Sequence, residues 1–212
     1  SPFYKELRTT VQDEYGNSII QLNENLKSQR SIHVIAGGDY TFRASGRNFK
    51  LSADMYYKKL DNLNPYTVDN VKIRYYGENC AQGHAMGLDV KFFGEFVPGT
   101  DSWISFSLMK AEQTIRDKVT VPMPNSQGYN VSLFFQDYFP GYKRVKLNLK
   151  GVISGGLPFI APRTKYEDVK STFRTPAYKR VDLGFSYQLA GGTDAIMDRG
   201  FFRHLKNIWI GL

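Results

Sequence analysis

Histidine, cysteine and carboxylate side chains could carry catalysis or hold a metal, and here they are scattered. His33, His84 and His204 stand far apart, without the short spacing that brings two metal ligands together. Cys80 is the only cysteine, so an internal disulfide and a multi-cysteine metal site are both excluded. Asp54, Asp89 and Asp182 lie in stretches of alternating polarity, and acid–base work needs a mutual geometry that spacing alone does not supply. No glycine loop opens a helix to cradle phosphate, and no nucleophile elbow is present. The expectation is a protein without catalytic residues, metal or cofactor. What remains is a set of polar groups at alternate positions: Asp89, Lys91, Asn130, Gln136, Lys146, Asn148 and Asp182. Such groups would line a wetted wall and offer charge and hydrogen bonds to a solute. Tyr66, Phe159 and Tyr166 lie in polar connections and offer faces on which a sugar or chelate could stack.

Positioning that wall requires strands. Ile32, Val34, Ala36, Tyr40 and Phe42 share one face of a segment at about 29–42, with Ser31, His33, Asp39 and Thr41 opposite and Ile35 out of pattern. Period-two alternation is the strand signature. It recurs at about 48–58, 83–96, 102–110, 129–138, 144–154 and 178–189, and an eighth strand begins near Asn207. Arg43 to Arg47, Val97 to Asp101 and Phe139 to Tyr142 read as tight turns, and Pro98-Gly99 in the second suits type II geometry. Long polar connections fill Leu60 to Gln82, with a small strand at Val71 to Tyr75, then Ala111 to Gln127 and Gly155 to Ala177. Asp13 to Asn17 reads as a turn, and Asp194 to Leu205 could hold a helical turn. Short and long connections thus alternate, as in a chain threading up and down through a barrier.

Three features assign the barrier to a membrane. The apolar faces carry large residues over about nine positions, the length a tilted strand needs to cross hydrocarbon. The opposite faces carry charges, Asp89 with Lys91 and Lys146 with Lys150, which the interior of a wide membrane barrel accepts and a dry core does not. Tyr56, Tyr57, Phe92, Phe93, Tyr129, Tyr138, Phe139 and Tyr142 gather at strand ends, where rings suit the lipid–water boundary. The formal charge of +8 is spread along the strands rather than packed among stacking aromatics, which argues against nucleic acid. Lysines and arginines in outer loops would instead meet lipid phosphates. No run reaches the roughly 20 apolar residues of a spanning helix, and Ser1 to Lys5 does not open a signal peptide.

From about Ala53 to Leu212 the chain resembles the C-terminal barrel region of TonB-dependent outer-membrane receptors, especially those of Bacteroidetes type. The resemblance rests on Asp54 to Leu63 (DMYYKKLDNL), Gly83 to Asp89 (GHAMGLD), Gly94 to Trp103 (GEFVPGTDSW), Ser132 to Tyr138 (SLFFQDY), Gly156 to Phe159 (GLPF) and Tyr178 to Gly184 (YKRVDLG), in this order and spacing. It implies an all-β fold: an antiparallel up-and-down transmembrane β-barrel, of which residues 1–212 would be one incomplete domain within about 22 strands. It also implies uptake of a scarce solute, such as a siderophore, glycan or peptide, into the periplasm. The implied partners are outer-membrane lipid and lipopolysaccharide, a surface lipoprotein, and the TonB energy complex. That complex acts through a plug and TonB box that these residues do not show. Short turns would face the periplasm and long loops the exterior. Two other readings stay open on the residues alone: a small closed outer-membrane barrel serving as anchor or adhesin, and a soluble β-rich binding module. Extraction without detergent would favour the last.

Overall fold

The structure, a computed structural model, describes residues 6–12, 15, 18–69, 72–159, 172–191, 205 and 207–211. Eight antiparallel strands form one meandering sheet: β3 (Arg30–Ala44), β4 (Arg47–Leu63), β7 (Ala81–Val97), β8 (Thr100–Ile115), β10 (Tyr129–Phe139), β11 (Tyr142–Ser154), β14 (Tyr178–Gly191) and β15 (Asn207–Gly211). Each pairs with the strand before and after it in this order, and β3 and β15 are the outer strands. At one end the connections are two-residue turns. Gly99 (φ 77°) and Gly141 (φ 81°) take the left-handed conformation that type II geometry requires after proline. Ser45 and Gly46 (φ 52° and 76°) make the mirror-image turn that fits the twist of a hairpin.

The other end carries more structure than the one small strand that sequence suggests there. Strand β4 runs on to Leu63 and β8 to Ile115. Arg116 and Asp117, both at positive φ, then reverse the chain into β9 (Val119–Pro122), which pairs back on β8. The β-branched run of β9 explains the extension, since such side chains favour a pleated surface. Two further hairpins join β1 (Arg8–Gln12) to β2 (Ser18–Leu22), and β5 (Tyr66–Asp69) to β6 (Lys72–Tyr75). A short ladder links β12 (Pro158–Phe159) to β13 (Phe173–Arg174). The expected small strand at Val71 to Tyr75 is β6. The helical turn expected between Asp194 and Leu205 falls, except for Leu205, outside the described residues.

Register sorts the faces. Phe42, Phe49 and Gly94 lie side by side, as do Tyr40, Leu51, Phe92, Ile104 and Leu133, then Gly38, Ala53, Val90, Phe106 and Val131. The same face continues through Phe135, Leu149 and Leu183, and in the next row toward the short turns Leu147 and Phe185 stand beside Asp137. Between charged residues at its two ends it is apolar across all eight strands, and it stands open: Leu183 is 73 % exposed. At the short-turn end Tyr40, Phe42, Phe49, Phe92 and Phe96 form a ring cluster with centroids 5.3–6.3 Å apart. The span from Phe49 to Tyr57 matches the roughly 9–11 residues of a tilted membrane strand. An open apolar surface of this extent belongs against hydrocarbon.

Only the long-loop end has a compact core among the described residues. Leu63, Ala81, Ile115 and Val121 are buried there, with Leu60, Tyr76, Cys80, Val119 and Met123 packed on them. Met123 and Leu63 lie over the face of Gly83, which is the polar face of the sheet, so the loops fold inward across that side. Burial pushes the Cys80 thiol above its usual range, and the Arg116 guanidinium offsets this in part. We expect Cys80 to react slowly with maleimide at pH 7 and faster as pH rises beyond the ordinary thiol range. Leu63→Ala, which opens the cluster, should speed the reaction several-fold in a thiol-labelling time course.

Near the short turns β10 leaves the β8 ladder. Backbone pairing of the two runs from Tyr129–Leu108 to Phe134–Trp103 and stops. Beyond it the Gln136 amide donates to Ser102 Oγ (3.0 Å), and Thr100 Oγ1 donates its one proton between the Gln136 carbonyl (2.9 Å) and that of Val97 (3.0 Å). Both hydroxyl residues are buried. Ser102→Ala and Thr100→Val should each destabilise the folded receptor by about 1–3 kcal/mol, the cost of an orphaned buried polar group. Ser105→Ala, on the open polar face, should be close to neutral, all three variants being read by urea titration. Leu183→Arg on the apolar face should cost about 2–4 kcal/mol if it sits near the bilayer midplane, read as the folding equilibrium in lipid vesicles.

Candidate functional site

The seven polar residues singled out by sequence all lie on the face opposite the lipid-type surface, on strands β7, β10, β11 and β14. Asp89 stands between Asp54 of β4 and Ser107 of β8, and Ser107 in turn faces Asn130 of β10. Lys91 stands between Ser52 and Ser105. Lys150 pairs across strands with Asp182, which accepts from Arg180 at 2.8 Å. Across the same wall Lys50 bridges to Asp39 at 2.9 Å, and Ser52 donates to Asp39 at 2.5 Å.

Several of these groups are held by their neighbours. Gln136 Nε2 donates to Asn148 Oδ1 (2.7 Å), and Asn148 Nδ2 donates to Ser186 Oγ (3.3 Å), a hydrogen-bonded line across β10, β11 and β14. Ser132 Oγ donates to Asn130 Oδ1 at 2.9 Å. The Lys146 ammonium sits 4.5 Å from the Trp209 ring centroid and 5.2 Å from that of Tyr138. Lys91 sits 5.0 Å from the Trp103 ring, which stacks on Phe134. A cation over an aromatic face is electrostatically attracted to it. The wall therefore presents positive charge mounted on flat rings, beside fixed amide and hydroxyl groups.

Sequence reasoning missed most of those rings. Tyr56, Phe93 and Tyr138 were expected at the lipid boundary, and register places all three on the polar face: opposite Ile35, Trp103 and Lys146 respectively. Position near a strand end does not reveal the face; parity within the strand does. Trp209 could have been found only from the β14–β15 register, which slips by one residue at Leu189. Two close approaches add to the wall. Asp54 leans over Gly37, and the Tyr56 hydroxyl lies over Gly87, space that any Cβ would fill.

The loop aromatics stand apart. Tyr66 pairs with Tyr75 in the β5–β6 hairpin at 5.7 Å. Burial, then the Glu6 carboxylate and Tyr66, hold the Tyr75 hydroxyl above the usual phenol range, so it stays a neutral donor. Phe159 meets Phe173 at 5.7 Å across β12 and β13, and both are exposed. Tyr166 and His204 lie outside the described residues. Arg174 of β13 donates to the carbonyls of Ser126 (2.6 Å) and Gly156 (3.0 Å), which ties two of the long loops together. Among the described residues no three His, Cys, Asp or Glu side chains group closely enough to hold a metal ion.

The chain was compared with known proteins. The family model described as "TonB dependent receptor-like, beta-barrel" matches residues 2–201. No curated protein and no solved structure matches the chain. A match over nearly the whole length agrees with a sheet sorted for lipid on one side and water on the other. The chain thus belongs to the TonB-dependent receptor-like β-barrel family, whose members are transport receptors of the bacterial outer membrane.

Proposed function

We infer that this chain forms part of the wall of a larger outer-membrane barrel that takes up a scarce solute, with TonB supplying the energy through a plug. The observation that carries the reading is the sorted sheet: an open apolar face across eight strands, backed by a wall of hydrogen-bonded polar groups. A soluble module would leave the apolar face in water. Two outer strands that pair with each other nowhere among the described residues support a barrel larger than eight strands.

The wall also bears on the solute. Lys50, Lys58, Lys91, Lys146, Lys150 and Arg180 share it with Asp39, Asp54, Asp89 and Asp182, and two of those four carboxylates are engaged by Lys50 and Arg180. A surplus of positive charge beside aromatic plates favours a solute with negative charge and a flat or ring-shaped part. Acidic siderophores fit this description, as do charged glycans and peptides. Phe159 and Phe173 offer a first stacking contact outside the wall.

Radiolabelled-solute uptake by cells carrying the complete receptor tests the reading. Lys146→Gln combined with Lys91→Gln should raise the apparent KM several-fold for an anionic solute while the amount of receptor in the outer membrane is unchanged. Loss of TonB should abolish uptake by wild type and variant alike. Uptake that persists without TonB, or a receptor recovered in the soluble fraction, would overturn it.

A further inference from the structure

The polar wall carries a strip of three rings that lipid does not cover. Phe93 of β7, Trp103 of β8 and Phe134 of β10 stand side by side in one register row, on the face opposite the lipid-type surface. Trp103 stacks on Phe134 with centroids 6.3 Å apart and planes 28° from parallel. Three neighbouring strands span about 10 Å, so the strip is as wide as a fused group of two or three rings. Lys50 ends the row on β4, and Lys150 ends it on β11. In the next row toward the long loops, Lys91 lies between Ser52 and Ser105, and Ser132 follows. The serines are short, so Lys91 is the one long side chain of that row beside the rings.

The cations around the strip are unequally engaged. Lys50 is held by Asp39 at 2.9 Å. Asp182, the register neighbour of Lys150, is held by Arg180 at 2.8 Å. Lys91 and Lys150 make no ion pair among the described residues. Lys91 is exposed and rests its ammonium on the Trp103 ring, 5.0 Å from the centroid. A cation over a single ring in reach of water is held weakly. Lys146 differs, because Trp209 and Tyr138 both face its ammonium, at 4.5 Å and 5.2 Å. Lys91 is therefore the ammonium that an incoming ring can displace.

We propose that the strip is a stacking site for an aromatic acid, a flat conjugated ring system that carries a carboxylate and forms part or all of the solute. The ring system lies on Trp103 and Phe134 in the offset arrangement that aromatic pairs prefer. Lys91 leaves the Trp103 face, and its ammonium turns to the incoming carboxylate. Lys150 supplies a second cation at the end of the row. The exchange selects on two counts at once. An aliphatic acid meets Lys91 but covers the rings poorly. A neutral aromatic must evict the ammonium and gives it no partner in return. An aromatic acid supplies both ring and charge. The proposal rests on the uptake reading above and narrows its solute.

Equilibrium dialysis of the complete receptor in lipid nanodiscs, with empty nanodiscs subtracted, tests it with three probes: 2-naphthoate, cyclohexanecarboxylate and 2-naphthylmethanol. 2-Naphthoate should bind several-fold more tightly than either of the others. Lys91→Gln should weaken 2-naphthoate several-fold and tighten 2-naphthylmethanol, since the ring is then free. A folding defect does not produce such opposite shifts. Trp103→Leu should lose the preference for 2-naphthoate over cyclohexanecarboxylate, and Trp103→Phe should keep it. Lys110→Gln, beside Met86 on the lipid-type face, should match wild type. Equal binding of 2-naphthoate and cyclohexanecarboxylate by wild type would overturn the proposal, as would a parallel fall of both naphthyl probes in Lys91→Gln. So would binding of none of the probes, which would mean that another part of the receptor covers the strip. TonB-dependent solute uptake is read separately. Its absence sinks the transport reading, whereas uptake by a receptor with no preference for 2-naphthoate sinks this proposal alone.

Discussion

Hydrocarbon offers no water to the peptide group, so every N–H and C=O that crosses it must find a partner in the protein. The middle of the sheet shows how closely that constraint is met. On one edge β8 pairs with β7 along nearly its whole length. On its other edge it pairs with β10 from Trp103 to Leu108, then takes Gly128 at Met109, Met123 at Ala111, and finally β9 from Glu112 to Ile115. Where β10 diverges below Phe134, Ser102 and Thr100 substitute their hydroxyls for the missing ladder. One strand thus changes partner repeatedly without leaving a gap. Tight turns at one end and inward-folded hairpins at the other follow from the same demand, since loose chain belongs outside the hydrocarbon.

With the backbone settled, alternation leaves side chains only two directions, and the two faces solve different problems. The apolar face needs no internal partners, because lipid is its solvent. The polar face must satisfy charges and amides in a wet channel, and it does so largely among its own members: Gln136 with Asn148 and Ser186, Lys50 and Ser52 with Asp39, Lys146 between two rings. A wall cross-braced in this way holds its donors and charges in fixed places, which is what recognition of a passing solute requires. The glycines at positions 37 and 87 serve the wall too, since Asp54 and the Tyr56 ring occupy the space their side chains would take.

Strand positions were legible because period two survives in every crossing, and the Pro-Gly turns because only a few residue types accept their backbone angles. The seven wall residues were legible as a set for the same reason of parity. Their contacts were not. Nothing in the spacing of Gln136 and Asn148 indicates a shared hydrogen bond, and nothing near Lys146 indicates Trp209, more than sixty positions away and beyond a register slip. Within the long connections the sequence shows β6 but not its partner β5, nor β9, because strands of four residues are too short for periodicity to stand out. Tyr56, Phe93 and Tyr138 show the opposite error: a correct sense that rings gather near the ends of crossings, applied without counting which way each one points.

Exposure across the apolar face carries the same backbone constraint outward. Leu51 and Leu108, with strands on both sides, are 39 % and 43 % exposed, whereas Val34 on β3 and Val181 on β14 reach 61 % and 72 %. Large side chains on a sheet shield one another laterally, so the higher values mark the places where a lateral neighbour is missing. On β14 the reason is visible: β15 pairs only with the stretch from Ser186 to Gly191, and the outer edge from Tyr178 to Phe185 has no described partner. On the opposite flank, the outer edge of β3 has no partner among the described residues. Left without a partner, each flank would be a row of unpaired peptide groups at hydrocarbon depth, at a cost of several kcal/mol per unsatisfied group. Lipid cannot satisfy them, and only more strand can. The same interaction that fixes the middle of the sheet therefore requires its continuation on both sides, until the barrel closes around the polar wall.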